Sequence, residues 1–325
     1  MQAWQVTEFG DFSTALQWTE IAPGAMGPDE VRIRVHAAGI MFADLLMVAG
    51  LYQVKPPLPF TPGAEAAGVV LEAGANTSFK PGDRVLVANT VGAFAEEVVA
   101  PGSVVYTFPE GMSFPEAAAL TVNYQTSYFA LAYRAALQPG ETLLVHGGAG
   151  GVGTAAIQLG KAIGATVIAT ASSPEKLAAC TDCGADHAID YSNEDFVQVV
   201  KGLTGGRGAD VILDPVGGEV FDKSTKCIAF EGRLLVIGFA DGQIPSIQAN
   251  RILLKNMSVV GLYWGNYQLY NPAKIAATQP ILFKLYEEGK IKPLVDVHPM
   301  ANLPTAMDLL RSRKVIGKAI VTNTF

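Results

Sequence analysis

Residues 143–153 read LLVHGGAGGVG, and the fold turns on this stretch. Leu143–His146 is an apolar run of strand length, and the glycines after it spell G-x-G-x-x-G at Gly148, Gly150 and Gly153. Gly151–Gly164 then reads as a helix that closes on glycine. A diphosphate must approach the backbone of such a turn closely, and a Cβ would stand in its way. The helix start adds N–H groups without intrahelical partners and the positive end of a dipole. Gly148, Gly150, Gly151, Val152 and Gly153 are therefore candidates to cradle a dinucleotide diphosphate. The competing reading is a plain glycine-rich turn, which the strand before it and the helix after it weaken.

Outward from the turn, strands and helices alternate. Thr166–Ala169 (TVIA) reads as strand, Lys176–Gly184 and Asp195–Leu203 as helices, Val211–Asp214 as strand, Phe221–Ala229 as helix and Leu234–Gly238 (LLVIG) as strand. This spacing predicts an α/β fold with a doubly wound parallel sheet, the Rossmann arrangement. Residues 1 to 120 read differently. Glu30–Ala37 (EVRIRVHA), Ala67–Leu71, Arg84–Ala88 and Ala95–Val99 carry Val and Ile between turn signals at Gly27-Pro28, Pro81-Gly82-Asp83 and Pro101-Gly102, which predicts a β-rich barrel or sandwich. Past residue 266 the chain reads helix, helix, strand and ends in Lys318–Thr322 (KAIVT), a tail too short to fold alone. The expected domains are 123–266 for the coenzyme and 1–122 with 267–325 for a discontinuous β-rich partner.

The end of the second strand selects the coenzyme. A carboxylate about 20 residues beyond the glycine turn would bind the ribose hydroxyls of NAD. Residues 169–176 read ATASSPEK instead, with Ala171 where the acid is expected and Ser172, Ser173 and Lys176 following. An adenosine 2′-phosphate calls for donors and positive charge, so NADPH is the expected coenzyme. Glu175 runs against this, and the competing reading of Lys176 is a solvated helix residue.

Composition narrows the function classes. The 325 residues are 50% hydrophobic and 16% charged, which suits two sizeable cores. A formal net charge of -7 and the lack of a Lys/Arg run argue against nucleic acid. No apolar stretch has the length of a membrane span, and the opening MQAWQVTEFGDF has no basic-then-apolar leader pattern. Three cysteines make a disulfide framework unexpected and point to a reducing cytoplasm.

Ordered motifs cover nearly the whole chain: Ala37–Asp44 (AAGIMFAD), Gly50–Gly68 (GLYQVKPPLPFTPGAEAAG), Lys80–Val85 (KPGDRV), Asn123–Tyr128 (NYQTSY), Gln138–Gly153, Gly184–Tyr191 (GADHAIDY), Asp214–Gly218 (DPVGG), Glu231–Phe239 (EGRLLVIGF) and Gly317–Val321 (GKAIV). In this order they resemble the medium-chain dehydrogenase/reductase superfamily, and within it the zinc-independent quinone oxidoreductase (ζ-crystallin-like) branch. The resemblance implies a GroES-like catalytic domain for the β-rich part. It also implies a homodimer, often joined edge to edge through the Rossmann sheets, and the apolar Met257–Leu262 strand suits such an edge. In the zinc alcohol dehydrogenases of the superfamily, a Cys follows the G-I of the first motif and a His precedes the Glu of a G-H-E. Met41 and Ala64 hold those places here, and neither a thioether nor a methyl replaces thiolate or imidazole on Zn²⁺. Glu65 alone makes no zinc site, and Cys180 and Cys183 have only Cys227 besides, so no metal is expected.

Without a Lewis acid, the resemblance implies an acceptor that delocalises negative charge: a quinone or an α,β-unsaturated carbonyl. Members of the branch often carry Asn where this chain has Met41, so the change implies a more apolar pocket. Tyr52 matches the proton-donating Tyr of related enoyl-thioester reductases and is either the acid or a pocket-lining ring. Asp44 is catalytic or orients its motif through backbone hydrogen bonds. Thr126 is a nicotinamide-side hydroxyl or a helix-start residue, and Asn123 a coenzyme contact or a helix cap. The resemblance further implies Met41 beside the coenzyme, Tyr191 against the adenosine, Val216 in the crevice at the strand ends, and Gly238, Phe239 and Ala240 on the nicotinamide-ribose side. Tyr263 and Trp264 read as coenzyme contacts or as core or interface aromatics, and Lys318 as a phosphate contact or a surface ion pair. His36, His146, His187 and His298 show no partner pattern and read as packing or surface residues. An enoyl-thioester reductase and a non-catalytic NADPH-binding protein are the alternative functions.

Overall fold

The computed structural model describes residues 1–88 and 91–325, which divide into two compact units, Met1–Val122 with Pro293–Phe325 and Asn123–Lys292. The first unit opens with β1 (Gln2–Val6) and β2 (Leu16–Glu20), an antiparallel pair around the short α1 (Phe12–Ala15). β3 (Glu30–Gly39) buries Val31, Ile33 and Val35 and turns Arg32 and Arg34 outward, the period-two signature of a half-buried strand. It leads directly into α2 (Phe42–Val48). β4 (Glu65–Ala73) pairs antiparallel with β3 and with β5 (Arg84–Ala88). β6 (Glu97–Pro101) also pairs with β3, and β7 (Val105–Thr107) with β5. α3 (Phe114–Leu120) starts at a reciprocal cap in which the Ser113 and Glu116 side chains each accept the other residue's N–H.

The second unit begins within α4 (Val122–Tyr128) and then alternates as its spacing predicts: β8 (Thr142–Val145), α5 (Gly151–Ile163), β9 (Thr166–Ala171), α6 (Pro174–Asp182), β10 (His187–Asp190), α7 (Phe196–Leu203), β11 (Ala209–Asp214), α8 (Gly218–Cys227), β12 (Ile228–Val236), α9 (Ala249–Lys255), β13 (Ser258–Gly261), α10 (Asn266–Tyr270) and α11 (Pro272–Glu287). Among the described residues the sheet runs β10-β9-β8-β11-β12-β13 with every neighbour parallel. This is the doubly wound Rossmann order, and the direction reverses between β8 and β11, where such sheets open a ligand crevice. β8 is buried throughout, as a strand covered on both faces must be. A Cβ on Gly160 of α5 would lie 2.7 Å from Leu143 Cδ2, so this glycine lets the helix settle closely onto β8. β12 starts inside the segment read as helix and stops at Val236, leaving Ile237 and Gly238 as loop.

The chain then returns to the first unit through β14 (Val295–Pro299), α12 (Leu303–Arg311) and β15 (Lys318–Thr322). β15 pairs antiparallel with β3 and parallel with β14, and Met300, Leu303 and Met307 join Val31, Ile33 and Val35 in one core. The return starts at residue 293 and not at 267, because the intervening helices pack inside the second unit. Tyr267 meets Phe129 edge to face at 4.6 Å, the Gln125 amide donates to Gln279 at 2.9 Å, and Lys274 lies over the Tyr133 ring. No helix of the described residues is long and apolar enough to cross a membrane.

Candidate active site

The glycine turn is fixed from three sides. The His146 N–H donates to Leu213 of β11 at 3.0 Å, the Gly148 N–H to Thr170 of β9 at 2.9 Å, and the Gly150 N–H to Gly147 at 3.0 Å. A Cβ on Gly148 would lie 2.8 Å from Cys180 Sγ and 2.9 Å from Ala169 Cβ, and one on Gly153 would lie 2.2 Å from the Gly147 carbonyl oxygen. The protein's own packing therefore demands those two glycines. Gly150 is different. It is exposed, its φ of -82° suits any residue, and among the described residues a Cβ there would meet only the Gly147 carbonyl, at 3.4 Å. Gly150 also caps α5 without a side-chain hydrogen bond, so among the described residues no side chain caps the first N–H groups of the helix, from Gly151, Val152 and Gly153, which suit an anion. These residues fit a dinucleotide diphosphate.

The ends of β9 and β10 meet beside this turn. Ser172 and Lys176 are half-buried, and Ser173 caps α6 by accepting the Lys176 N–H at 3.4 Å. Glu175 is fully exposed in the first helical turn, and bonds from its own backbone N–H and from Ser173 hold its carboxyl below the usual range. Tyr191, 45% exposed, follows β10 and donates its N–H to Ala171 at 3.2 Å. At the ends of β11 and β12, the buried Asp214 carboxylate accepts from Val216 and Gly217 N–H at 2.8 and 3.0 Å, while the Ala240 N–H donates to Pro215 at 3.0 Å. Val216, Gly238, Phe239 and Ala240 thus share one edge of the sheet. The Ser127 hydroxyl on α4 donates to the Val152 carbonyl at 3.0 Å and ties that helix to the turn, while Asn123 and Thr126 of the same helix are buried. Tyr263 is exposed, but Trp264 is 5% exposed and reads as a packing residue with almost no surface to offer a coenzyme.

In the first unit the chemistry-bearing residues form a buried charge cluster. Asp44 is fully buried, and its Oδ2 accepts the Met41 N–H at 2.7 Å at the start of α2, which supports its orienting reading. Its Oδ1 has no partner among the described residues. Burial pushes the Asp44 pKa up to about 7, against the opposing pull of the Met41 N–H and the Lys318 ammonium, while the nearby Glu65 carboxylate adds to the rise. Glu65, also fully buried, accepts from the Thr121 hydroxyl, from Val122 N–H at 3.0 Å, and pairs with Lys318. Lys318 is therefore neither a surface ion pair nor free for a coenzyme phosphate: it is 4% exposed and held by Glu65. A Cβ on Gly39 would lie 2.5 Å from Glu65 Oε1 and 2.8 Å from Lys318 Cε, so this glycine makes room for the pair. Ala64 is buried and Met41 half-buried, while Tyr52 is half-buried against the first unit's core with its N–H on the Leu46 carbonyl. No group of three or more His, Cys, Asp or Glu among the described residues is placed to hold a metal ion.

Three site neighbours have no strong signal in the sequence: Thr121, the partner of Glu65; Asp214, whose D-x-x-G spacing is the one signal, of a side chain folding onto its own turn; and His146, which is buried between Thr170 and Ser224.

Residues 27–110 match the family model for the alcohol dehydrogenase GroES-like domain, and residues 151–278 that for zinc-binding dehydrogenase. The chain is 42% identical over 306 residues to quinone oxidoreductase-like protein 2 of Rattus norvegicus, covering 93% of this chain and 87% of the relative. It is 41% identical over 300 residues to the homologue of that protein in Nematostella vectensis, covering 91% and 82%. Among solved structures, Escherichia coli quinone oxidoreductase complexed with NADPH superposes with a TM-score of 0.91 at 29% identity over 99% of this chain and 100% of that one. CurK enoyl reductase superposes with a TM-score of 0.89 at 28% identity over 99% and 98%. A Rossmann sheet unit joined in one chain to a GroES-like unit, with relatives this similar over nearly their full length, makes the chain a member of the medium-chain dehydrogenase/reductase superfamily, in its quinone oxidoreductase branch.

Proposed function

We propose that this protein binds NADPH on the second unit and reduces a quinone or an α,β-unsaturated carbonyl without a metal. The observation that carries the reading is the exposed Gly150, a glycine that packing among the described residues does not require, at the start of a helix whose N-cap makes no side-chain hydrogen bond. When bound, NADPH supplies the hydride. Gly148–Gly153 hold its diphosphate, and Ser172, Ser173 and Lys176 receive the 2′-phosphate. Tyr191 covers the adenosine. Val216, Gly238, Phe239, Ala240 and Tyr263 line the nicotinamide half together with Asn123 and Thr126. Met41 and Ala64 give Zn²⁺ no ligands, so the anion left on the acceptor must be spread over its own conjugated system and then protonated. Tyr52 is the proposed proton donor, and Asp44 orients the Met41 turn. The NADPH complex of the E. coli relative supports the choice of coenzyme. We place the protein in the cytoplasm as a homodimer joined through the β13 edge, a reading supported by its scarce cysteines and by that strand's apolar composition.

Likeness to CurK enoyl reductase and the position of Tyr52 favour enoyl thioesters as a second substrate class. Steady-state NADPH oxidation with 9,10-phenanthrenequinone, 1,4-benzoquinone and crotonyl-CoA separates the two, with zinc content measured on the same sample. Turnover of the quinones at substoichiometric zinc is expected. NADPH binding with no turnover of any acceptor would indicate a non-catalytic NADPH-binding protein.

A further inference from the structure

We propose that His146 is a positioning residue for the coenzyme, locking the glycine turn to the end of β9 and to α8 so that three coenzyme-lining segments form one rigid receptor. The inference rests on the coenzyme reading above. His146 is 1% exposed and sits immediately before the turn. The Ser224 hydroxyl donates to the Val220 carbonyl at 2.7 Å, which uses its one proton, so it accepts from His146 Nε2–H at 2.8 Å. Nδ1 is then an acceptor, and the Thr170 hydroxyl donates to it at 3.1 Å. These partners assign a single neutral tautomer.

Thr170 grips the turn twice, once through this hydroxyl and once through its carbonyl, which accepts the Gly148 N–H at 2.9 Å. The result is a closed hydrogen-bonded ring running from His146 through Gly147 and Gly148 to Thr170. Thr170 lies just before Ser172 and Ser173, on the 2′-phosphate side. Ser224 lies on α8, whose start follows the Val216–Gly217 corner. One imidazole thereby sets the spacing between the diphosphate turn, the adenosine side and the nicotinamide side. Phe196 of α7 closes the ring's edge at a centroid distance of 4.8 Å. Burial holds the His146 pKa down at about 3, so the ring stays neutral across the working range and does no acid–base chemistry. An apolar residue of the same size would fill the space but leave the buried Thr170 hydroxyl without this partner.

The test uses His146→Phe and Thr170→Val in the full chain. T170V removes one hydroxyl at constant shape and keeps the question answerable if H146F fails to fold. Calorimetric titration with NADPH, well below the unfolding temperature, should give Kd values raised about tenfold for each folded variant, the scale of one lost hydrogen bond. KM for NADPH should rise in parallel, with kcat at saturating NADPH unchanged within about twofold. Kd values within about twofold of wild type, alongside a lower unfolding temperature, would reduce His146 to a stability residue and overturn the inference. Failure of the wild-type protein to bind NADPH would instead overturn the coenzyme reading itself.

Discussion

Lys318 on the last strand and Glu65 on β4 form a buried ion pair, with Gly39 of the intervening β3 leaving room for both side chains. A buried pair of this kind is costly to break from one side, because the remaining charge loses its partner away from water. Lys318→Met should therefore destabilise the protein by about 3–5 kcal/mol in urea unfolding. The double variant Lys318→Met with Glu65→Gln should recover a large part of that loss. Equal stability of the single and double variants would show that the pair is not coupled.

Asp44 links the same cluster to pH. Its pKa is raised from 3.8 to about 7, chiefly by burial, so the folded state holds a proton that the unfolded state releases near pH 4. The folded state binds more protons between these values, and stability falls as pH rises through that window. Against Asp44→Asn, which cannot titrate, wild type should lose on the order of 3 kcal/mol of relative stability between pH 4 and pH 8. A pH-independent difference between the two proteins would contradict the assignment.

The two kinds of glycine in the turn should separate on substitution. Gly150→Ala should change stability by less than about 1 kcal/mol, since its φ is ordinary and its Cβ has room, yet weaken NADPH binding about tenfold or more. Gly153→Ala should lower the unfolding temperature even without ligand, because its Cβ would strike the Gly147 carbonyl. Thermal melts with and without NADPH distinguish the two effects.

Coenzyme preference should follow Lys176. Lys176→Ala removes positive charge from the proposed 2′-phosphate side and should raise Kd for NADPH about tenfold while leaving NADH within about twofold. Equal losses for both coenzymes would place Lys176 elsewhere.

Much of this architecture was legible because it is local. The alternation in Glu30–Ala37, the strand–glycine–helix order over residues 143–164 and the run Lys318–Thr322 each carry their own periodicity, and each forms the expected element. β14 has no clear signal in the sequence, because an edge strand with half-exposed faces, Val295–Pro299, lacks alternation. Sequence alone groups α11 with the β-rich unit, whereas it belongs to the Rossmann unit, because its partners, Gln125 and Tyr133, lie far back in the sequence. The same holds for the site. The glycines, hydroxyls and Lys176 suggest the proposed phosphate site by type and spacing, whereas the burial of Lys318 against Glu65 and of His146 between Thr170 and Ser224 arises only when distant segments pack.

Isothermal titration of the wild-type protein with NADPH and NADH, repeated on Gly150→Ala, tests the central claim most directly. Stoichiometric NADPH binding, weaker NADH binding and loss of both affinities in the variant are the predicted results. No heat from either coenzyme, or a clear preference for NADH, would contradict the account.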